Sequence, residues 1–231
     1  MNLIGTLCCT KAVSSLQKNY SQTRDLIVAT CAEINIQFGE TDDGRIASAV
    51  KETEYLDKLE QAILSKNPDF IIDRPKARHW YDIRINGIPI NLKLTTGGTD
   101  NAFNKVAIAY TISGEELQKK NMNYNAWFQY LKTMAKKPVR EKQTEYHYLV
   151  LNKTSGKILF KSILDIHSYK SNPCNDMQIN WQSEFAHLDY YIADENFREK
   201  IKELLKTVQK SVRQLIESMR EFADADIDAL F

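Results

Sequence analysis

The chain has 231 residues, 43% of them hydrophobic and 26% charged, the make-up of an ordinary soluble globular protein long enough to bury a substantial core. A formal net charge of +1 at pH 7 excludes a polyanion-binding field over the whole surface, so any contact with nucleic acid has to come from a local patch. Apolar runs stop far short of the roughly 20 residues that cross a bilayer, and the opening MNLIGTLCCTK lacks a signal-peptide core with a basic start, which predicts a cytoplasmic protein with no membrane partner.

In chain order, residues 11–37 read as a helix with Leu16, Tyr20, Ile27, Cys31, Ile34 and Phe38 at near-helical spacing. Asp42 or Asp43 can cap a second helix that runs to about Lys66. Phe70 to Ile72 is a short apolar strand, and a hairpin follows it. Segment 101–136 is mostly helical, with VAIAY at 106–110 open between helix and strand. Tyr146–Leu151 and Lys157–Ile166 read as two strands around the Thr154-Ser155-Gly156 turn. Residues 195–223 form a long helix, in which Ile201, Leu205, Val208, Val212, Leu215, Met219 and Phe222 alternate by four and three as a heptad seam. This seam packs either on the chain's own sheet or on a partner helix. Cys8, Cys9, Cys31 and Cys174 make no CxxC pair and have no histidine at ligand spacing, so they read as reduced thiols.

The hairpin carries the first functional signal. In YDIRINGIPINLKLTTGG, residues 81–98, strand-forming residues flank Asn86-Gly87, the strongest short-range sign of a two-residue loop. Counting outward from that loop pairs Ile85 with Ile88, Arg84 with Pro89, Ile83 with Ile90 and Asp82 with Asn91. Alternation puts Ile83, Ile85, Ile88, Ile90, Leu92 and Leu94 on one face, and Asp82, Arg84, Asn91 and Lys93 on the other. An acid, an amide and an amine then converge on one patch. Two readings stand: a solvated face with a weak Lys93–Asp82 ion pair, or a site.

The second helix adds a carboxylate. Its apolar stripe is Ile46, Ala49, Leu56, Leu59 and Ile63, while Lys51, Glu54, Asp57 and Lys58 point away. Glu52 falls inside the stripe together with Arg45 and Ser48. A buried carboxylate costs several kcal/mol unless it is paired or bound to a metal, so Glu52 either pairs with a base such as Arg45 or joins the hairpin patch.

An acid on one hairpin strand, an amide followed two residues later by lysine on the next, and a glutamate on the preceding helix resemble the PD-(D/E)xK nuclease superfamily, and more narrowly a Type II restriction endonuclease. The GRIASA…E opening at 44–52, INGIPINLK with TDNAFNK at 99–105, and NPCNDMQINW at 172–181 carry the same likeness. It implies a single endonuclease domain over 1–231: a helical extension (1–42), a catalytic core (43–151) and a strand, loop and C-terminal helix region (152–231). The implied fold is α/β, a mixed central sheet flanked by helices with an αβββαβ core and the long C-terminal helix. Residue by residue, Asp82 matches the first metal-binding acid, Asn91 fills a slot usually held by Asp or Glu, and Lys93 matches the lysine. Tyrosine rather than proline precedes Asp82.

Mg2+ is the cofactor so implied, held by Asp82, Asn91 and Glu52 with the backbone carbonyl of Leu92, because hard oxygen donors suit that ion. Asp100 is a reserve carboxylate. For double-stranded DNA, Lys136, Lys137 and Arg140 lie in a basic run that either meets phosphates or is a solvated helix end, and Asn104, Lys105, Asn172, Asn175 and Gln178 suit base edges. The same resemblance implies a homodimer and a companion DNA methyltransferase acting on the same site. Two other functions stay open: a nuclease of the same fold in repair or mobile-element processing, and an inert DNA-binding module.

Overall fold

A computed structural model of the chain describes residues 20–34, 44–76, 79–117, 122–134, 140–167 and 169–225. These gather into two compact units, one reaching to Thr96 and resuming at Lys105–Ile163, the other made of Gly97–Asn104 and the chain from Leu164 onward. The sequence reading has one domain across the same span. Leu16, Phe38, Asp42, Asp43, Lys136 and Lys137, and the side chains of Arg45, Ile46, Ser48 and Ala49, lie outside what is described.

The first unit is α/β, as expected. Helix α1 covers residues 20–33 and α2 Gly44–Lys66. A mixed five-stranded sheet follows, built from β1 (Ile72–Asp73), β2 (Ile83–Ile85), β3 (Ile88–Thr95), β5 (His147–Asn152) and β6 (Ile158–Ser162) in the order β1-β2-β3-β5-β6. All neighbours are antiparallel except β3 and β5. Parallel neighbours need a long crossover, which here holds α3 (Lys105–Ser113) and α4 (Tyr124–Met134). The ambiguous VAIAY segment lies inside α3.

The hairpin has the expected register: Ile83 pairs with Ile90, Arg84 with Pro89 and Ile85 with Ile88. Asn86 and Gly87 have φ of 47° and 83°, the left-handed pair that a type I′ turn requires and that glycine and asparagine tolerate best. Its apolar face does build the core. Ile83, Ile85, Ile88 and Ile90 are fully buried against Tyr20, Ile27 and Cys31 of α1 and Tyr55, Leu56, Leu59 and Ile63 of α2.

In the second unit, β4 (Thr99–Asn101), β7 (Lys170–Asn172) and β8 (Asp176–Asn180) form a three-stranded antiparallel sheet ordered β4-β8-β7, which the sequence reading lacks. Its strands are rich in Asp, Asn and Gln, residues poor in strand propensity. After α5 (Trp181–Ala186), α6 (Phe197–Ala223) packs on β7 and β8. The expected seam needs correction. The buried stripe is Phe197, Lys200, Leu204, Val208 and Ser211, whereas Met219 and Phe222 are exposed together with Ile216. The apolar arc of this helix is wider than the small sheet beneath it.

Arg140 also departs from expectation. It is not a surface phosphate contact: its side chain is 1% exposed, and Nε and Nη2 donate to Glu145 Oε1 and Oε2 at 2.7 and 3.0 Å. Ser162 Oγ donates to the same carboxylate. Removing one partner of a buried pair leaves an uncompensated charge that costs about 3–5 kcal/mol. Arg140→Ala is therefore expected to lose stability of that order in urea denaturation, while Lys132→Ala, on the exposed end of α4, stays within about 0.5 kcal/mol of the parent.

Candidate active site

Four half-buried side chains expected at the site, Glu52, Asp82, Asn91 and Lys93, meet at one edge of β3. The reason lies in the backbone. The paired residues of β2 end at Ile83, and one residue before it the Asp82 N–H still donates to Ile90 O at 2.9 Å. Past this point β3 runs on to Thr95 with no strand beside it on that edge among the described residues. Asp82 takes the strand's place: its Oδ2 accepts from the Leu92 N–H at 2.8 Å and from Asn91 Nδ2 at 2.7 Å. The next N–H on this edge, that of Leu94, donates to the Glu52 carboxylate from α2.

Within a strand the N–H and C=O of one residue point to the same edge. The Leu92 carbonyl therefore leaves β3 on the side of Asp82 and Glu52. The carboxylates and this carbonyl, with Asn91 Oδ1, make a set of hard oxygen donors. No three His, Cys, Asp or Glu side chains gather at one point among the described residues, so the set has two carboxylates. It suits Mg2+, which takes few protein ligands and keeps several waters.

Burial is the largest influence on both acids. It raises the Glu52 carboxyl above its ordinary value, with Asp82 adding to the rise and Lys93, the Leu94 N–H and Lys153 opposing it. Burial likewise raises Asp82, against the pull of the Leu92 N–H, Lys93 and Arg74. Lys93 lies close enough to act on both acids, yet no ion pair within 4 Å joins it to either among the described residues.

Arg74 and Lys153 are two cations the sequence reading missed. Arg74 pairs with Asp57 at 3.1 Å and Glu60 at 3.5 Å on α2. Lys153 follows β5, and its N–H donates to Thr95 O at 2.8 Å. Only the parallel β3–β5 register, which pairs Thr95 with Asn152, brings Lys153 to this end of β3, and nothing local in the sequence signals that pairing.

Of the other described candidates, Lys105 and Arg140 belong to the first unit and the rest to the second. Asp100 belongs to the second unit, where it accepts from Trp181 Nε1 at 2.7 Å. Lys105 donates to Met122 O at 3.0 Å and lies 3.9 Å over the Tyr124 ring. Asn172 accepts from the Cys174 N–H at 2.9 Å in the β7–β8 turn, Asn175 is exposed there, and Gln178 Nε2 donates to Asn101 Oδ1 at 3.2 Å. Asn104 is half-buried at the end of the segment that holds β4. No protein-family model matches the sequence, and no curated protein matches it. The reading of this site therefore rests on its geometry.

A carboxyl whose pKa is higher in the folded chain than in the unfolded one binds its proton more tightly when folded. Stability is then greatest below the unfolded value, about 4.3 for Glu, and is lost as pH rises through the folded pKa. At neutral pH the metal-free site thus weakens the fold. Glu52→Gln removes one ionisation and keeps an acceptor for Leu94. It is expected to be more stable than the parent at pH 7 without divalent metal, with the gain vanishing near pH 4. Urea denaturation at the two pH values checks this, and equal stability at pH 7 would refute it.

Proposed function

We propose that the chain is a Mg2+-dependent endonuclease that hydrolyses phosphodiester bonds of double-stranded DNA at a defined sequence, as a Type II restriction enzyme does. The observation that supports this best is the alignment of Asp82 and Glu52 on successive N–H groups of the β3 edge, with Lys93 beside them. With β4 of the second unit and the additional helix α4 set aside, the order α2, β1, β2, β3, α3, β5 is in keeping with the αβββαβ core of such enzymes.

Phosphodiester hydrolysis needs a positioned water and positive charge where negative charge grows on the phosphate. Asp82, Glu52, Asn91 Oδ1 and the Leu92 carbonyl would hold Mg2+, which supplies Lewis-acid neutralisation of the phosphate when bound. Lys93 is fitted to hold the attacking water and to oppose the developing charge, because it stands beside both acids without pairing to either. Asn91 has two roles: Nδ2 fixes the Asp82 carboxylate, and Oδ1 stays open as a neutral donor. Arg74 and Lys153 temper the negative charge of the pair. The reading brings with it a two-fold dimer that cuts both strands of a symmetric site, and a methyltransferase that protects that site in the host.

Incubation with plasmid DNA and Mg2+ tests the reading. Discrete fragments support it, nicks or smears point to a structure-directed nuclease, and intact plasmid removes the activity. Lys93→Ala should lower cleavage at least 100-fold and leave duplex binding intact, since the lysine acts on the reaction rather than on the DNA.

Asn91 tests the metal. Asn91→Asp adds a third carboxylate beside Asp82 and Glu52, so half-maximal cleavage should need less Mg2+. Asn91→Leu removes both the clamp and the donor and should raise the requirement steeply. If Leu at 91 leaves the Mg2+ dependence of cleavage unmoved, Asn91 is only a strand residue holding its neighbour.

A further inference from the structure

Lys153 is the residue that follows β5, and its backbone is pinned. Its N–H donates to Thr95 O at 2.8 Å, and Asn152 Oδ1 beside it accepts from the N–H groups of Thr154 and Ser155, both at 2.9 Å. The side chain is free by comparison. Among the described residues its ammonium has no hydrogen bond and no ion pair within 4 Å, and it is not one of the polar atoms buried without a partner. The half-buried side chain therefore carries its charge out to solvent.

Strand alternation gives its direction. Leu149 and Leu151 of β5 lie in the core cluster with Leu56, Leu59 and Ile63 of α2, so Lys153, two residues past Leu151, falls on the α2 face of the sheet. Glu52 reaches the edge of β3 from that same face, and the charge of Lys153 acts on its carboxylate. Lys93 stands opposite Val150 in the β3–β5 register. It belongs to the other face, since Leu92 and Leu94 on either side of it pack into the cluster with α2. The acid pair is thus flanked by one unpaired lysine on each face of the sheet.

The charges say what a second lysine can do there. With Arg74 engaged on α2, the carboxylates of Asp82 and Glu52 and the ammonium groups of Lys93 and Lys153 cancel. A divalent cation held by the carboxylates leaves two positive charges in surplus, which draw an anion to the site. A phosphodiester brings one negative charge, and an attacking hydroxide brings the other. An ammonium acts on phosphate as a point charge with rotatable donors, which suits a side chain held only through its backbone.

We propose that Lys153 is a substrate-contacting residue of this site and holds a phosphate of the cleaved DNA strand from the α2 face, while Lys93 works from the opposite one. The assignment rests on the nuclease reading above and adds to it a phosphate contact that positions the strand without reading its sequence. In the free protein Lys153 tempers Glu52. With DNA bound, its ammonium turns to the phosphate.

The test is binding of a fluorescently labelled duplex, followed by anisotropy over a range of salt concentrations, with Ca2+, which takes the same kind of oxygen donors, in place of Mg2+. Each phosphate contact contributes about 0.9 to the slope of log affinity against log salt. Lys153→Gln is expected to lower the slope by that amount and to weaken binding on the order of tenfold at about 0.1 M salt, whereas Lys153→Arg keeps both. The measurement is repeated in a Glu52→Gln background. A lysine that touches DNA gives the same loss of slope there. A lysine that acts only by offsetting the Glu52 charge gives no further change, and that result overturns the contact. Near-ultraviolet circular dichroism confirms that each variant is folded. A folded Lys153→Gln with the parental slope also overturns the contact and leaves the nuclease reading standing. A parent chain that binds no duplex overturns the nuclease reading, and the contact falls with it.

Discussion

Beyond Ile83 the ladder between β2 and β3 gives way, and the N–H groups of Leu92 and Leu94 need acceptors that no neighbouring strand among the described residues supplies. Unpaired backbone donors at a half-buried edge are costly, and the chain meets the need with carboxylates, Asp82 from the departing strand and Glu52 from α2. The chemistry of the site follows from this replacement. A paired strand would have left no carbonyl on that edge open and no acid beside it. Because β3 continues to Thr95 while its partner does not, the polar groups are fixed to a sheet rather than to a loop, and the rigidity of the core passes directly to them.

The same arrangement carries an electrostatic load. Burial raises both acids, each raises the need for cations nearby, and Lys93, Lys153 and Arg74 lie where they oppose that rise. The cations differ in their freedom. Arg74 is engaged with Asp57 and Glu60 on α2, whereas Lys93 is not drawn into an ion pair among the described residues. A pair of half-buried acids short of charge compensation weakens the fold, and the fully buried isoleucines on the opposite face of the hairpin are what tolerate it.

What was legible in the sequence was local. Asn86-Gly87 specifies its turn through the backbone angles it permits, the turn specifies the register, and the register places Asp82 against Asn91 with no tertiary information at all. Glu52 was legible because a carboxylate inside an apolar helical stripe conflicts with its surroundings, and such conflicts mark sites. Lys153 and the β3–β5 pairing were not legible, since parallel register is set by packing across a long crossover. The sheet of the second unit was hidden by its Asn, Asp and Gln composition. Arg140 was misread because a run of basic residues looks open to phosphates until Glu145, five residues on, is found to bury one of them. In α6 the heptad spacing of apolar residues was real, but it described an arc wider than the surface the helix covers.

The parallel pairing also orders the events of folding. The hairpin closes through contacts between near neighbours, which form within microseconds, so Asp82, Asn91 and Lys93 can come together early in the life of the chain. Joining β3 to β5 must wait until the intervening α3 and α4 have been looped out, and closures of that kind dominate the barrier. Until then the edge of β3 that will receive β5 is bare and able to pair with another chain. Asp82 and Glu52 hold the opposite edge, so their charge guards that side alone, and the β5-facing edge is protected only once β5 has joined.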